Sequence, residues 1–253
     1  MKKILLSSVG ALILCGAIYG TYQYNSEKIY SEKDVKCDFD AGICYDLQGK
    51  EITGRIKNYD NKILISDIQY KNGKEDGELK IYRNDGKLFL EGTYKQGKPN
   101  GIVKEYNDDG SLLSYDEFKD GIPHGKSIIY QNNKILKEWS YNMGKEINIG
   151  KIYYPNGNSQ LEVNFDNGEL KYYYENGQLQ TLAHFNDSGY HGLWTIYNQD
   201  GTLKAELTYE NGVGTSGYCL KDENTKIEFD TKAFEIFATN NQTPCDTPVN
   251  EIK

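Results

Sequence analysis

Apolar and polar side chains alternate along the stretch ending at Tyr82: Glu78, Lys80 and Tyr82 fall on one parity, Leu79 and Ile81 on the other. A period of two is the mark of a strand whose faces differ. The same alternation returns downstream. The Ile81 place is held by Glu105, Ile129, Ile152, Tyr172 and Ile196, and the Leu79 place by Val103, Ser127, Gly150, Leu170 and Trp194. One face reads as mostly apolar and the other as tyrosine interleaved with charge. On the intervening strands, Leu64, Leu88, Leu112, Ile135, Leu179 and Leu203 recur six residues before an aromatic, broken only by Ser159. Ladders of this kind stabilise sheets through cross-strand contacts of ~0.2–1 kcal/mol per pair.

The alternating segments themselves recur. Gly77, Gly101 and Gly125 are 24 residues apart, as are Tyr82, Tyr106 and Tyr130. A fixed period of this length means repeat architecture and overrides any element-by-element reading. Aromatic anchors of the first strands are Tyr59, Tyr82, Tyr106, Tyr130, Tyr153, Tyr173 and Tyr197; those of the second are Tyr70, Tyr94, Phe118, Tyr141, Phe165, Phe185 and Tyr209. Within a unit the two stand 12 residues apart, or 11 for Tyr59 to Tyr70 and Tyr130 to Tyr141. Turns such as Asn84-Asp85-Gly86 lie between the strands of a unit, and turns such as Asn72-Gly73 between units. Asn-Gly and Asp-Gly supply the positive φ of tight hairpins. The expected fold is therefore all-β: an elongated antiparallel sheet, a β-meander of about seven tandem hairpin repeats over residues 49–212. No unit buries enough to fold alone, so stability must come from neighbours. The step from Phe165 to Tyr173 is short and predicts a local tightening. After Gly212 the period is lost; Lys226 to Phe229 reads as a last strand, and Thr231 to Thr239 as a short helix capped by Asp230.

The ends differ from the array. Met1-Lys2-Lys3 followed by apolar Ile4 to Gly20 predicts an N-terminal apolar helix, either a signal peptide cleaved after Gly20 or a retained anchor. Lipid modification at Cys15 is a third reading. All three export the remainder. Residues 1–24 are read as this leader or anchor, 25–48 as a spacer and N-terminal cap, and 213–253 as a C-terminal cap. Of the five cysteines, four bracket the array. The favoured pairings, Cys37 with Cys44 and Cys219 with Cys245, would each staple one end. Zinc ligation and free thiols are the alternatives; no CxxC or adjacent histidine supports zinc.

At this point the residues resemble a family. The order G-x-x-K-x-Y, N/D-G-x-L, E-x-x-Y/F and a following N-G-K-type turn is similar to the bacterial variant of MORN repeats (membrane occupation and recognition nexus). Gly77, Lys80, Tyr82, Gly86, Leu88, Glu91 and Tyr94 match every place, and the next unit matches with Tyr115 where Glu is expected. The resemblance implies a curved sheet of hairpins serving as a binding scaffold and not as an enzyme. Some bacterial members are catalogued as antitoxins, a role the export signal sits badly with. Classical members have been linked to membranes.

Composition narrows the chemistry. The formal charge of -8 argues against nucleic acid, whose phosphates need a basic face. Glu91, Glu138, Glu162 and Glu206 recur with the repeat, which predicts cross-strand pairing with Lys80, Lys104, Lys151 and Lys171 and not a catalytic carboxylate pair. His124 and His191 precede glycines at equivalent turns and, with His184, read as loop residues. No catalytic residue, cofactor or metal is expected. The candidate interaction face carries Tyr82, Tyr106, Tyr130, Tyr153, Tyr173 and Tyr197. Its expected occupant is a protein partner before a glycan, since wall-glycan repeats lean on tryptophan and only Trp139 and Trp194 occur. The same tyrosines could instead be half-buried packing residues.

Overall fold

The computed structural model describes residues 27–222 and 225–231. Twenty strands occur among them. The first three are β1 (Ile29–Ser31), β2 (Val35–Asp38) and β3 (Ile43–Asp46). Then come β4 (Gly54–Asp60), β5 (Ile63–Lys71), β6 (Lys74–Tyr82), β7 (Leu88–Lys95), β8 (Lys98–Tyr106) and β9 (Leu112–Lys119). The middle holds β10 (Ile122–Gln131), β11 (Lys134–Asn142), β12 (Lys145–Tyr153), β13 (Ser159–Asn164), β14 (Glu169–Tyr173) and β15 (Leu179–Asn186). The last are β16 (Gly189–Tyr190), β17 (Gly192–Tyr197), β18 (Leu203–Glu210), β19 (Val213–Asp222) and β20 (Thr225–Asp230).

Eighteen of these strands form one sheet. From β4 to β15 each strand pairs antiparallel with the next; β15 pairs with both β16 and β17, and the meander continues to β20. The expected meander of seven hairpins is present. Its expected uniform antiparallel pairing is not: β1 lies parallel to β4, with Tyr30 opposite Ile56, so the sheet is mixed. A parallel neighbour needs a crossover in place of a tight turn. Here the β2–β3 hairpin supplies it.

Register follows the alternation. One row of the apolar face runs Ile56, Ile68, Leu79, Gly92, Val103, Asp116, Ser127 and Trp139 across β4 to β11. It resumes through Gly150, Val163, Leu170 and Ala183, and again through Trp194, Leu207, Gly217 and Phe229. Large side chains sit beside small ones. A Cβ on Gly150 would stand 2.7 Å from the Trp139 ring, so the glycine is the bed on which that indole lies. Asp116 and Ser127 interrupt the row, and the serine hydroxyl donates to the aspartate at 2.5 Å.

Two turn types alternate. At five of the junctions between units a two-residue turn has both residues at positive φ, as at Asn72 (51°) and Gly73 (75°), or Gln96 (51°) and Gly97 (79°). That is the mirror-image turn whose twist suits a hairpin. The junction after Phe165 and the Asp187-Ser188 turn do not share it. Within most units the turn is longer: Arg83 N–H donates to the Lys87 carbonyl, Gly86 N–H to the Arg83 carbonyl, and only Gly86 has positive φ. The hairpins β4–β5 and β10–β11 use two-residue turns instead, Asn61-Lys62 and Asn132-Asn133. One residue fewer in the loop is the cause of their 11-residue anchor spacing. Every unit also carries a bulge before its first-strand tyrosine, which sets the ladder residue directly opposite: Tyr82 faces Leu88, Tyr106 faces Leu112 and Tyr153 faces Ser159. The shortened step after Phe165 falls on the strand and not on the turn: β14 has only 5 residues, while the loop before it, closed by Asn164 and Glu169, is longer than the two-residue turns.

The N-terminal cap covers one end. Cys37 and Cys44, directly opposed in β2 and β3, form the expected disulfide. Cys44 packs with Tyr30, Ile56 and fully buried Ile52. Backbone bonds tie this cap to the first inter-unit turn: Cys44 N–H donates to the Gly73 carbonyl and Gly73 N–H to the Ile52 carbonyl. At the other end the expected last strand is β20, and Ala205, Leu207, Cys219 and Phe229 form a buried cluster. Cys219 is disulfide-bonded; Cys245, the partner expected for it, lies outside the described residues. So do the N-terminal apolar segment and the helix expected after Thr231. Among the described residues no helix is long and apolar enough to cross a membrane.

Candidate functional site

The face opposite the apolar rows carries the residues singled out from sequence. Its central row crosses the sheet as Lys57, Asp67, Lys80, Glu91, Lys104, Tyr115, Ile128, Glu138, Lys151, Glu162 and Lys171. The expected lysine–glutamate opposition is met for Glu91, Glu138 and Glu162, but is broken at Tyr115 and Ile128 and not met for Glu206, which stands between Thr195 and Tyr218. Lys151 and Glu162 close to 2.9 Å, and Lys104 and Glu91 to 3.8 Å. Such exposed pairs are each worth at most about 1 kcal/mol. At the first-unit end Arg55 reaches Asp67 at 2.9 Å, Glu27 at 3.1 Å and Glu78 at 3.3 Å. Burial works against its charge, but these three carboxylates outweigh it and hold the guanidinium charged.

The tyrosines are tied into this row. Tyr106 donates to Glu91 at 2.8 Å, Tyr173 to Glu162 at 3.0 Å, and Tyr153 to Glu138. Burial, followed by the carboxylate bond, pushes the Tyr106 and Tyr173 hydroxyls up to about 12, and Tyr153 upward in the same way. Burial alone would raise Glu162, but bonds from Lys151, Ser159 and Tyr173 outweigh it and hold this carboxyl below its usual range. Tyr82, Tyr130 and Tyr197 have no such bond, and the residue at the glutamate place explains each case. Asp67 is engaged by Arg55 and Lys57, Tyr115 bonds Glu117, and Leu182 has no acceptor. All six tyrosines are half-buried. They stand in line on one face, and three of their hydroxyls are spent inside the sheet.

Contacts between units were not anticipated. The residue after the anchor tyrosine reaches to the carbonyl of the next anchor: Arg83 to Tyr106, Tyr154 to Tyr173 and Tyr174 to Tyr197, at 2.6, 2.8 and 2.9 Å. A ninth-strand counterpart of the tyrosine–glutamate bond, Tyr115 to Glu117, and one on β19, Tyr218 to Glu206, were also missed. Of the histidines expected in loops, only exposed His191, between β16 and β17, lies outside a strand; His124 is in β10 and accepts from Met143 N–H at 3.4 Å, and exposed His184 is in β15 opposite Glu169. Among the described residues no group of three or more His, Cys, Asp or Glu side chains could hold a metal. The arrangement supplies a broad lattice of mutually satisfied charges with apolar side chains left proud of it, including Ile102, Ile149 and Leu193.

A tandem-hairpin repeat protein is thus defined by fold and face alike. Residues 75–96, 99–120, 148–167, 166–187 and 190–211 match the MORN repeat variant family, and the chain belongs to the MORN-repeat proteins. Of the seven array hairpins, the two outside the matched stretches, β4–β5 and β10–β11, are those with two-residue turns within the unit. Similar solved structures include TarM, at 12% identity over 55% of this chain and 21% of that one, with a TM-score of 0.19. A mutant of S. aureus TarM in complex with fondaparinux, α-GlcNAc-glycerol and UDP shares 11% identity over 55% and 21%, at 0.21. Alternansucrase in complex with isomaltononaose shares 17% over 76% and 16%, at 0.22. The chain spans about a fifth or less of those proteins, and likeness at this level carries no functional argument. No curated protein matches the chain.

Proposed function

We propose that this chain is a non-enzymatic scaffold, exported or tethered at the bacterial envelope, that binds a protein partner along its tyrosine–charge face. The observation that carries the reading is the internal pairing of that face. Glu91 and Glu162 are each occupied by a tyrosine hydroxyl and a lysine, and Glu138 by the Tyr153 hydroxyl, so they are placed to hold the sheet and not to move protons. What remains for a partner is shallow and wide: exposed lysine heads, half-covered ring flanks and isolated aliphatics, a composition suited to a macromolecular surface. Stacking of sugars needs open ring faces, and the six anchors are half-buried. The Cys37–Cys44 disulfide accords with an oxidising compartment, and the apolar N-terminal segment would provide the tether.

The test is capture by the full-length protein, immobilised and exposed in separate arms to envelope extract and to purified wall polysaccharide. Retention of a defined protein, competed by free full-length chain, is expected. Retention of polysaccharide alone would replace the reading with the glycan one, and capture of a cytoplasmic toxin from whole lysate would favour the antitoxin role.

A further inference from the structure

One edge of the face is charged in a way the sheet does not need. The turns between units lie along it. Lys71 and Lys74 flank Asn72-Gly73 and are directly opposed in the register; Lys95 and Lys98 flank Gln96-Gly97 and are directly opposed as well. Lys119 continues the line at the next turn, opposite Ile122. Like charges placed directly opposite destabilise a strand pair, yet the arrangement occurs twice at the same place. None of these five lysines makes an ion pair within the sheet.

The nearby carboxylates are otherwise engaged. Asp76 accepts from the Gln96 backbone and side-chain amides, and Asp120 accepts from Asn100. Glu75 is half-buried and burial pushes its carboxyl up. Inward from these turns a depression of 210 Å³ opens, lined by Glu78, Lys80, Glu91 and Lys104 with Thr93 and Ile102 exposed in it.

We propose that this edge docks a short acidic segment of a protein partner, carboxylates on the lysine pairs and an apolar side chain in the depression over Thr93 and Ile102. The inference rests on the protein-binding reading above and names its chemistry. Successive turns are two strands apart, about 9.6 Å, and seven residues of helix advance about 10.5 Å, so carboxylates seven residues apart on a helix meet successive turns. Farther along, the same edge turns acidic, with Asp166, Asp187 and Glu210 exposed at its loops. The whole chain carries -8. A long phosphate polymer or an anionic membrane would have to lie against those acidic turns, whereas a short segment ends before them.

The experiment uses the full chain and three probes: a glutamate-rich helical peptide with one central leucine, polyphosphate, and phosphatidylglycerol vesicles. Peptide binding that weakens with salt is expected. The double variant Lys95→Glu, Lys98→Glu should lose at least tenfold, while Lys36→Glu, Lys62→Glu, on the N-terminal cap and at the β4–β5 turn of the opposite edge, should bind as the native chain does. Urea unfolding of the first variant should be unchanged or slightly later, since an opposed like-charge pair remains a like-charge pair on the same exposed turn. Equal peptide binding by the two variants, or tighter binding of polyphosphate or vesicles than of peptide, overturns the proposal. If the envelope protein captured by the native chain is captured equally by Lys95→Glu, Lys98→Glu, this edge is wrong and the scaffold reading stands. If the native chain captures no protein, the scaffold reading fails whatever the peptide does.

Discussion

Replacing Tyr106 by phenylalanine removes one hydroxyl and nothing else, and so asks what the tyrosine row is for. In the native sheet that hydroxyl donates to the Glu91 carboxylate at 2.8 Å. A hydrogen bond to a charged group contributes about 1.5–3 kcal/mol net. Glu91 keeps Lys104 at 3.8 Å and its side chain is 29% exposed, so water replaces part of the loss. The expected cost is at the low end, about 1–2 kcal/mol. Tyr82→Phe is the internal control, because the Tyr82 hydroxyl has no partner in the sheet; surface changes of that kind stay within about 0.5 kcal/mol. Urea unfolding followed by far-ultraviolet circular dichroism, with disulfides intact, reads both. At slopes of about 1–3 kcal/mol per molar urea, Tyr106→Phe should lower the midpoint by a few tenths of a molar or more, with an unchanged slope. A double-mutant cycle with Glu91→Gln should return a coupling of about 1 kcal/mol, which isolates the pair. Equal stability of Tyr106→Phe and Tyr82→Phe would refute the structural assignment. If partner capture fell with Tyr106→Phe at unchanged stability, the hydroxyl would belong to the interface and not to the sheet.

Gly77 has φ of 122°, and a Cβ there would overlap the Gln69 side chain, whose carbonyl oxygen accepts from Glu78 N–H at 2.7 Å; Gly77→Ala should cost about 2–3 kcal/mol. Gly97→Ala, at φ 79° in open space, should cost about 1–2 kcal/mol in the same unfolding assay. Breaking the Cys37–Cys44 bond by Cys37→Ser should cost about 2–3 kcal/mol from its short closed loop. Amide exchange should then quicken first at Cys44 and Gly73, whose N–H groups donate to the Gly73 and Ile52 carbonyls. Stability should also fall at both ends of the pH scale. Hydroxyls raised to about 12 at Tyr106 and Tyr173 favour the protonated form in the fold, so their contribution is whole below pH ~10 and is lost as pH rises toward 12. Lowered carboxyls at Glu162, Asp85, Asp109 and Asp200 contribute above their unfolded values and lose this as pH falls through the lowered folded ones. Urea midpoints across pH 2–12 check both limbs; a midpoint flat from pH 9 to 12 in the native chain would contradict the tyrosine assignment.

The parts of this molecule that were legible in the sequence are those fixed by local alternation multiplied by the period. Once Lys80 and Tyr82 shared a parity, every later strand inherited the assignment, and the row from Lys80 through Glu91 to Lys104 followed. The 11-residue spacings of the first and fourth units were visible, but their cause was not, because two-residue and longer turns differ in dihedrals before they differ in composition: Asn132-Asn133 takes φ of 51° and 61° without a glycine. The parallel pairing of β1 could not be read from three residues, Ile29–Ser31, whose partner lies beyond a whole disulfide hairpin. The reach of Arg83, Tyr154 and Tyr174 to carbonyls 23, 19 and 23 residues away was likewise hidden, since it depends on how successive hairpins stack.

That division bears on where function lies in a repeat array. A residue that recurs in each unit has the spacing of a structural part, and the tyrosine–glutamate bonds behave as one: present where the acceptor is glutamate, absent where it is Asp67, Tyr115 or Leu182. Residues that specify a partner should instead vary among units while the backbone stays constant. The inter-unit turns meet that condition. Five of them, Asn72-Gly73, Gln96-Gly97, Asp120-Gly121, Met143-Gly144 and Asn211-Gly212, share one backbone, with φ of 50–52° at the first residue and 75–84° at the glycine, while their flanks pass from paired lysines to Glu210 and Val213. The lattice face holds the scaffold together; its turn edge, free to vary, is where this chain differs from a generic stack of hairpins.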